Sequence, residues 1–349
     1  MSKLIELLNK TVVFFENKKA QNPRLEAEKL FSKALNIDRI MLYANFDRIL
    51  TDEEISKIRH VMKEKDTTKE NTLKEFLDSS IVYLKKYNVY EASLIAELVF
   101  SKVLKIDRMM LFISYEKKIN EEEKNRIREY LKKIALENMP YQYVFNEQNF
   151  YGRDFFIDKG VLIPRHDTEV LVEKVLEISK QDSLVLDIGT GSGVIAITIA
   201  KELPKSKVLA IDISDKALEI SKKNTEFLNA KNVKIVKSNL FENIEFKEFD
   251  IIVSNPPYIS NKEVEEVGLN TYIHEPHEAL FANSDGLYFY YEISKNAKEY
   301  LKNGGYLAFE IGYKQKKAVN DILTEFGYVD IKNYTDLNGL DRVVIARKG

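Results

Sequence analysis

The sequence predicts an α/β protein with an all-α front. Two tandem helical units come first, then a short β-hairpin, then a doubly wound parallel sheet. Three observations predict this. A long stretch of the first 66 residues returns 69 positions later. Aromatic and β-branched residues become dense just after Met139. From Asp182 onward, short apolar runs alternate with helical patterns, as parallel strands joined by crossovers require. The 349 residues suffice for two or three domains. With 44% hydrophobic and 31% charged residues there is material for a sizeable core, so disorder throughout is excluded.

The repeat organises the front. Ser32-Lys-Ala-Leu-Asn-Ile-Asp-Arg-Ile-Met-Leu42 returns as Ser101-Lys-Val-Leu-Lys-Ile-Asp-Arg-Met-Met-Leu111. Aligned without a gap, Leu4–Lys65 and Leu73–Ile134 share 21 identities in 62 pairs. Each copy reads as four helices. Leu4, Leu7, Leu8, Val12 and Phe15 recur on one helical face. Asn22 and Pro23 read as an N-cap and a first helical residue. Asp38 is placed to cap a short third helix. Thr51-Asp-Glu-Glu54 and Asn120-Glu-Glu-Glu123 read as capping boxes. The segment 66–70 reads as a linker. Two copies are too few for a solenoid, and neither carries a catalytic pattern.

Gln142–Ile157 reads as a hairpin, and a helix capped by Asp167 or Thr168 follows. Expected strands are Leu184–Ile188, Lys207–Ile211, Val233–Lys237, Asp250–Ser254 and Tyr306–Ile311. Tyr328–Tyr334 and Asp341–Ala346 should form an antiparallel hairpin at one edge. Helices are expected at Val194–Lys201 and Asp215–Leu228.

Composition excludes several chemistries. With no cysteine there is no disulfide framework, thiolate metal site or cysteine nucleophile. Four histidines make a histidine-rich metal site an unsuitable reading, and no metal is expected. The net charge of −2 does not suit a chain built to coat nucleic acid. Residues 1–138 carry 27 Lys/Arg against 23 Asp/Glu, and the rest carry 26 against 32. The N-terminus lacks a signal-peptide pattern, and no run approaches the roughly 18 apolar residues of a spanning helix. A cytoplasmic protein without membrane contact is expected.

Two loops carry the chemistry. Leu184-Val-Leu-Asp-Ile-Gly-Thr-Gly-Ser-Gly-Val-Ile-Ala196 is a buried strand, a glycine turn and a helix start. Gly189, Gly191 and Gly193 let a ligand approach the backbone, and the helix start supplies free N–H groups. Asp187 would repel a pyrophosphate and suits a ligand with an ammonium group, such as the methionine part of S-adenosylmethionine. Asp212, about 20 residues on, suits a ribose diol. There is no Gly-Lys-Ser/Thr phosphate loop.

The second loop is Asn255-Pro256-Pro257-Tyr258, at the end of the strand Phe249–Ser254. The prolines turn the chain out of the sheet and fix φ. The Asn255 side-chain oxygen and the Pro256 carbonyl can both accept from one planar NH2 group, and Tyr258 can pack against its face. Such a loop suits methylation of an amide or exocyclic amino nitrogen. Holding both hydrogens frees the delocalised lone pair for attack on a methylsulfonium carbon, through orientation and electrostatics.

Further motifs stand in order around these loops: Pro140-Tyr-Gln-Tyr143, Phe150-Tyr-Gly152, Leu162-Ile-Pro-Arg165, Thr168-Glu169, Glu275-Pro276, Ala279-Leu280 and Gly339-Leu-Asp-Arg342. Together they resemble the protein-(glutamine-N5) methyltransferases that modify peptide chain release factors, the HemK/PrmC family. The resemblance covers about residues 71–349. It implies a class I (Rossmann-like) S-adenosylmethionine-dependent methyltransferase domain. It also implies methyl transfer to the glutamine N5 of the Gly-Gly-Gln motif of class-1 peptide chain release factors. Asp187, Gly189, Thr190, Gly191, Ser192, Gly193, Asp212, Asn239, Leu240 and Asn255 would hold the cofactor. Asn255, Pro256, Pro257 and Tyr258 would hold the substrate amide, with Asn255, Pro256 and Tyr258 catalytic.

The chain would then comprise an extra helical unit (1–66), a helical docking domain (71–138), a hairpin linker (139–160) and a catalytic domain (161–349). Asn146, His166 and Asn239 depart from the family pattern, as does the extra unit. Three rival readings stay open. One is a ribosomal-protein glutamine methyltransferase. A second is an N6-adenine DNA methyltransferase, which should carry a basic target-recognition region that is absent here; no sequence-specific nucleic-acid binding is expected. The third is a non-catalytic module.

Overall fold

The structure is a computed structural model that describes residues 3–18, 20–67, 72–282 and 285–349. Side chains are described outside residues 63–67 and 266. Of the expected linker, residues 68–70 lie outside the described part. The chain divides into two compact units, Met1–Val82 with Ala96–Ile127 and Tyr83–Ile95 with Arg128–Gly349.

The helices of the front are α1 (Leu4–Asn17), α2 (Pro23–Leu35), α3 (Arg39–Ala44), α4 (Asp52–Thr67), α5 (Leu73–Lys86), α6 (Ala92–Leu104), α7 (Arg108–Ile113) and α8 (Glu121–Leu136). The unit boundaries pass through α5, α6 and α8. The 69-residue register holds in three dimensions. Leu4, Leu8, Ala27, Leu30, Phe31, Ala34, Leu42, Leu50 and Ile58 form a buried cluster. Their counterparts Leu73, Leu77, Ala96, Val99, Phe100, Val103, Leu111, Ile119 and Ile127 are all buried as well. Even the isolated bridge Lys3–Ile49 returns as Thr72–Lys118.

Both capping boxes form. Thr51 Oγ1 accepts from Glu54 N at 3.2 Å, and Asn120 Oδ1 accepts from Glu123 N at 2.8 Å. Two expected caps differ. Asn22 holds the cap position, but its φ of −139° and ψ of 77° leave the extended cap geometry and its side chain makes no capping bond. Asp38 makes none either, whereas its counterpart Asp107 accepts from Met109 N at 2.8 Å.

In the second unit, α9 (Tyr141–Phe145) precedes β1 (Glu147–Phe150) and β2 (Arg153–Phe156). The hairpin is therefore shorter than expected. Pro140 opens a helical turn and Asn146, left-handed at φ 54°, ends it. Tyr151 and Gly152, at φ 50° and 71°, form the two-residue hairpin loop.

The chain continues through α10 (Asp167–Ile178), β3 (Leu184–Ile188), α11 (Val194–Glu202), β4 (Lys207–Asp212), α12 (Asp215–Phe227), β5 (Val233–Lys237) and β6 (Phe249–Ser254). A segment the sequence left unassigned follows: β7 (Ile259–Ser260), α13 (Leu269–His274), α14 (His277–Leu280) and β8 (Phe281–Ala282), with β7 and β8 paired in parallel. The last elements are α15 (Tyr288–Tyr300), β9 (Leu301–Glu310), α16 (Lys316–Glu325), β10 (Tyr328–Thr335) and β11 (Asp341–Lys348).

The seven-stranded sheet has the order β10-β11-β9-β6-β3-β4-β5. Five strands are parallel; β11 runs antiparallel between β9 and the edge strand β10. Side-chain alternation divides two cores. Val185, Val208, Ile251 and Val253 face one cluster, and Leu186, Ile188, Ile211 and Ile252 face the other. The register pairs Ile188 with Ile211 and Ser254, so β3, β4 and β6 end level. Strand order reverses beside β3, where open α/β sheets bind ligands at carboxyl strand ends.

Candidate active site

A cleft opens at these strand ends. Gly189, Gly191, Asp212, Asn239, Leu240, Asn255, Pro256 and Pro257 line it. Thr190, Ser192, Gly193, Asp187 and Tyr258 do not. Gly160, Val161, Leu162, Pro276, Glu278, Ala279 and Phe289 are also among its wall residues.

The glycine loop presents backbone. Gly189 and Gly191 have φ of 72° and 57°, and a Cβ on either would meet no protein atom within 4 Å. Conformation demands glycine there, and the space beside it is open. Gly193, at φ 87°, differs: its Cβ would lie 2.9 Å from Ile197 Cδ1 and 3.2 Å from Ser221 Cβ. It brings α11 against α12.

The loop's side chains are spent inside the protein. Thr190 Oγ1 donates to Asp187 Oδ2 at 2.6 Å, and Ala196 N donates to the same oxygen at 3.2 Å. Asp187 is fully buried, its Oδ1 has no partner, and burial pushes its carboxyl up to about 7. The Ser192 carbonyl accepts from Asn224 Nδ2, which also holds the Phe156 carbonyl of β2, both at 2.8 Å.

Asp212 closes β4. Its Oδ2 accepts from Gly191 N and its Oδ1 from Ser214 N, each at 2.9 Å. Burial raises its carboxyl, against the pull of these N–H groups. Asn239 donates its amide to Glu242 Oε1 at 2.8 Å, which leaves its carbonyl oxygen as the acceptor it can offer. Leu240 is left-handed at φ 47°, uncommon for a bulky residue, and the Ser238 hydroxyl bonds its carbonyl at 2.8 Å.

The second loop is held from behind. Asn255 Nδ2 donates to the buried Thr168 Oγ1 at 3.3 Å. Thus Thr168 and Asp167 do not cap α10: Asp167 already sits in its first turn and Thr168 turns to Asn255. Gln315 Nε2 donates to the Tyr258 carbonyl at 2.9 Å. Tyr258 packs against the core between sheet and α15, and burial raises its phenol far above the ordinary range. Arg342 bonds Asp336 at 3.0 Å and Asp167 at 3.3 Å. Glu275 is buried and accepts from Ile163 N at 3.0 Å and Arg165 Nη2 at 2.6 Å, tying the Leu162–Arg165 loop to the cleft wall at Pro276. His166 is exposed and pairs with Glu169 at 3.0 Å, away from the cleft lining.

Sequence reasoning quoted Glu275 and Arg342 only as motif members, Thr168 as a motif member and helix cap, and passed over Asn224, Glu310 and Gln315. Their contacts include partners 32 residues away, for Asn224 and Ser192, and 112 residues away, for Glu275 and Ile163, which no local pattern displays.

Comparison with known proteins agrees with this architecture. The methyltransferase small domain family matches residues 165–287. The PrmC N-terminal domain family matches twice, at 6–65 and 75–145, once on each repeat. A release factor glutamine methyltransferase of Fusobacterium nucleatum is 43% identical over 91% of this chain and 94% of its own. Those of Geobacter sulfurreducens and Clostridium botulinum are 39% and 41% identical over 80% and 79% of this chain, and 97% and 99% of their own. Four fifths of this chain thus spans the latter two almost end to end, and the remainder has no counterpart in them. A solved methyltransferase from Pyrococcus furiosus aligns at TM-score 0.45 and 21% identity over 64% of this chain and 98% of its own. Among the described residues no helix is long and apolar enough to cross a membrane. On this identity and coverage, the chain belongs to the release factor glutamine methyltransferase family.

Proposed function

We propose that this protein transfers a methyl group from S-adenosylmethionine to the N5 amide nitrogen of the Gly-Gly-Gln glutamine in class-1 peptide chain release factors. The observation that carries the reading is one cleft lined by both the glycine loop and Asn255-Pro256-Pro257. The cleft suits the cofactor because the space beside Gly189 and Gly191 is open where a ligand would lie against the backbone. Bound there, S-adenosylmethionine supplies an electrophilic methyl group on a sulfonium.

In this reading Gly189 and Gly191 lie against the cofactor and Asp212 accepts from its ribose hydroxyls. Asn239 and Leu240 flank its adenine. Asp187, Thr190, Ser192 and Gly193 brace the loop from behind. Asn255 Oδ1 and the Pro256 carbonyl accept the two amide hydrogens of the glutamine, with Pro257 and Tyr258 fixing the loop. These acceptors draw the nitrogen toward tetrahedral geometry and free its lone pair. They hold the surplus proton until it leaves to solvent after transfer. Residues 71–138, with 1–66 extending them, are proposed as the docking arm for the release factor, 139–160 as the hairpin linker and 161–349 as the catalytic domain.

The test offers labelled cofactor with release factor, with the same factor carrying Gln→Ala in Gly-Gly-Gln, and with duplex DNA. Label on the unaltered factor alone is expected. Label on DNA, or none on the factor despite cofactor binding, would overturn the reading. Loss of kcat/KM on intact factor after removal of residues 1–66 is expected of a docking arm, and an unchanged value would refute that role.

A further inference from the structure

We infer that Gln315 is a positioning residue that anchors the far end of the Asn255–Tyr258 loop, and that Gly286 gives this anchor room. The inference rests on the proposed methyl transfer. In that reaction the Asn255 side-chain oxygen and the Pro256 carbonyl must meet two hydrogens of one nitrogen. Proline fixes φ inside the loop. Where the loop lies depends on how its two ends are held.

The near end is held by the sheet. Ser254 pairs with Ile188 on one side and Phe309 on the other, and its hydroxyl donates to the Ile188 carbonyl at 2.8 Å. Past Pro257 the chain has left the large sheet, and only the two-residue strand β7 follows. At that exit the Tyr258 carbonyl accepts from Gln315 Nε2 at 2.9 Å.

Gln315 is itself braced, in the turn between β9 and α16. Its N–H donates to the Gly312 carbonyl at 2.8 Å, and its Oε1 accepts from the Gly312 N–H at 3.0 Å. A backbone N–H only donates and a backbone carbonyl only accepts. The Gly312 N–H at one end of the amide and the Tyr258 carbonyl at the other therefore leave one orientation for Gln315. Its Nε2 also stands 3.5 Å from the Gly286 carbonyl. Two glycines let these groups meet. A Cβ on Gly286, at φ 76°, would collide with the Tyr258 carbonyl oxygen and lie 2.8 Å from Gln315 Nε2. A Cβ on Gly312 would lie 2.8 Å from Gln315 Oε1 and 3.4 Å from Tyr258 Cδ2. The Tyr258 carbonyl is backbone, so it cannot yield to a Cβ without moving the loop. Phe309, which registers Ser254, and Gly312, which braces Gln315, lie three residues apart. Both ends of the loop are thus referred to the end of β9.

The experiment compares Gln315→Met, Gln315→Ala and Gly286→Ala in the full chain, with cofactor and release factor both saturating. Met keeps the length of the side chain and removes its hydrogen bonds. The wild type must transfer label first; if it does not, the proposed function fails and the anchor is not what failed. With the wild type active, each variant is expected to lower kcat roughly 10- to 100-fold, the scale of a small misplacement of reacting groups. Cofactor Kd, read by calorimetry, should hold, because the glycine loop is untouched. In an Asn255→Ala background Gln315→Met should cost less than it does alone, because part of its effect passes through Asn255. A residue that only stabilised the fold would lower Tm and leave the kcat of the folded enzyme unmoved. Wild-type kcat in Gln315→Met or Gly286→Ala would overturn the inference. So would a cofactor Kd that weakens in step with kcat, or a loss that adds fully to Asn255→Ala. If Gly286→Ala does not fold, the two Gln315 variants carry the same comparison.

Discussion

Two loops leave adjacent strands of one sheet, and they meet the cleft in opposite ways. After β3, Gly189 and Gly191 present bare left-handed backbone, while the nearby side chains of Asp187 and Thr190 bond each other inside. After β6, prolines fix the backbone and one side chain, Asn255, is held by Thr168 of α10. The first loop offers shape and N–H groups to a ligand of many atoms. The second offers two acceptors to a single nitrogen. The difference teaches that holding a ligand and directing one bond need different local rigidity. Substitutions should therefore fail in different ways at the two loops.

The largest effect should fall at Asn255. Asn255→Ala removes an acceptor that acts on the reacting nitrogen, so kcat should drop on the order of 100- to 1000-fold, as for loss of one preorganised polar group. Cofactor affinity, read by calorimetry, should change far less. Next comes Gly193→Ala, which adds strain at φ 87° to a 2.9 Å clash with Ile197. Overpacking of this kind costs about 1–3 kcal/mol, seen as a lower denaturation midpoint. Gly191→Ala meets no clash, only the left-handed penalty of about 1–2 kcal/mol. It should weaken cofactor binding roughly tenfold, since the loop must shift from the conformation that fits the ligand.

The smallest effect is a pH slope. Burial raises Asp187 and Glu310 each to about 7. Between the ordinary carboxyl range and that value the folded chain holds protons the unfolded chain has released. Their favourable contribution is complete at low pH and is lost as pH rises through about 7, by at most about 1.4 kcal/mol per pH unit per group. Urea midpoints of the ligand-free protein from pH 5 to 8 should fall accordingly, and Glu310→Gln should flatten the slope. A slope of opposite sign would contradict the burial argument.

Much of the catalytic fold was legible because its signals are local. Leu184–Ile188 and Val233–Lys237 are the strands the pattern predicts, and the duplicated core positions follow from counting 69 residues. Glycines and prolines mark both loops by backbone chemistry that needs no partner. What escaped depends on distant partners. Gln142–Phe145 reads as strand from its aromatic content, yet Pro140 and the left-handed Asn146 enclose a helical turn. Residues 259–282 lack a clear period, and their short strands exist only as a pair. Gln315 looks like an ordinary polar residue until the fold brings it behind Tyr258. The repeats show the same limit. Glu28 is buried among Arg24, Arg39 and the Tyr43 hydroxyl, whereas its counterpart Glu97 keeps only the Arg108 contact of that set, at 3.4 Å, because Ser93 and Phe112 replace the other two.

The most direct test measures cofactor Kd and the single-turnover rate of methyl transfer to release factor, both in Asn255→Ala and in Gly191→Ala. The account predicts a crossed result. Asn255→Ala should bind cofactor nearly as the wild type does and turn over slowly, while Gly191→Ala should bind weakly and turn over near the wild-type rate once saturated. Equal losses of both quantities in both variants would contradict the division between a loop that holds and a loop that directs.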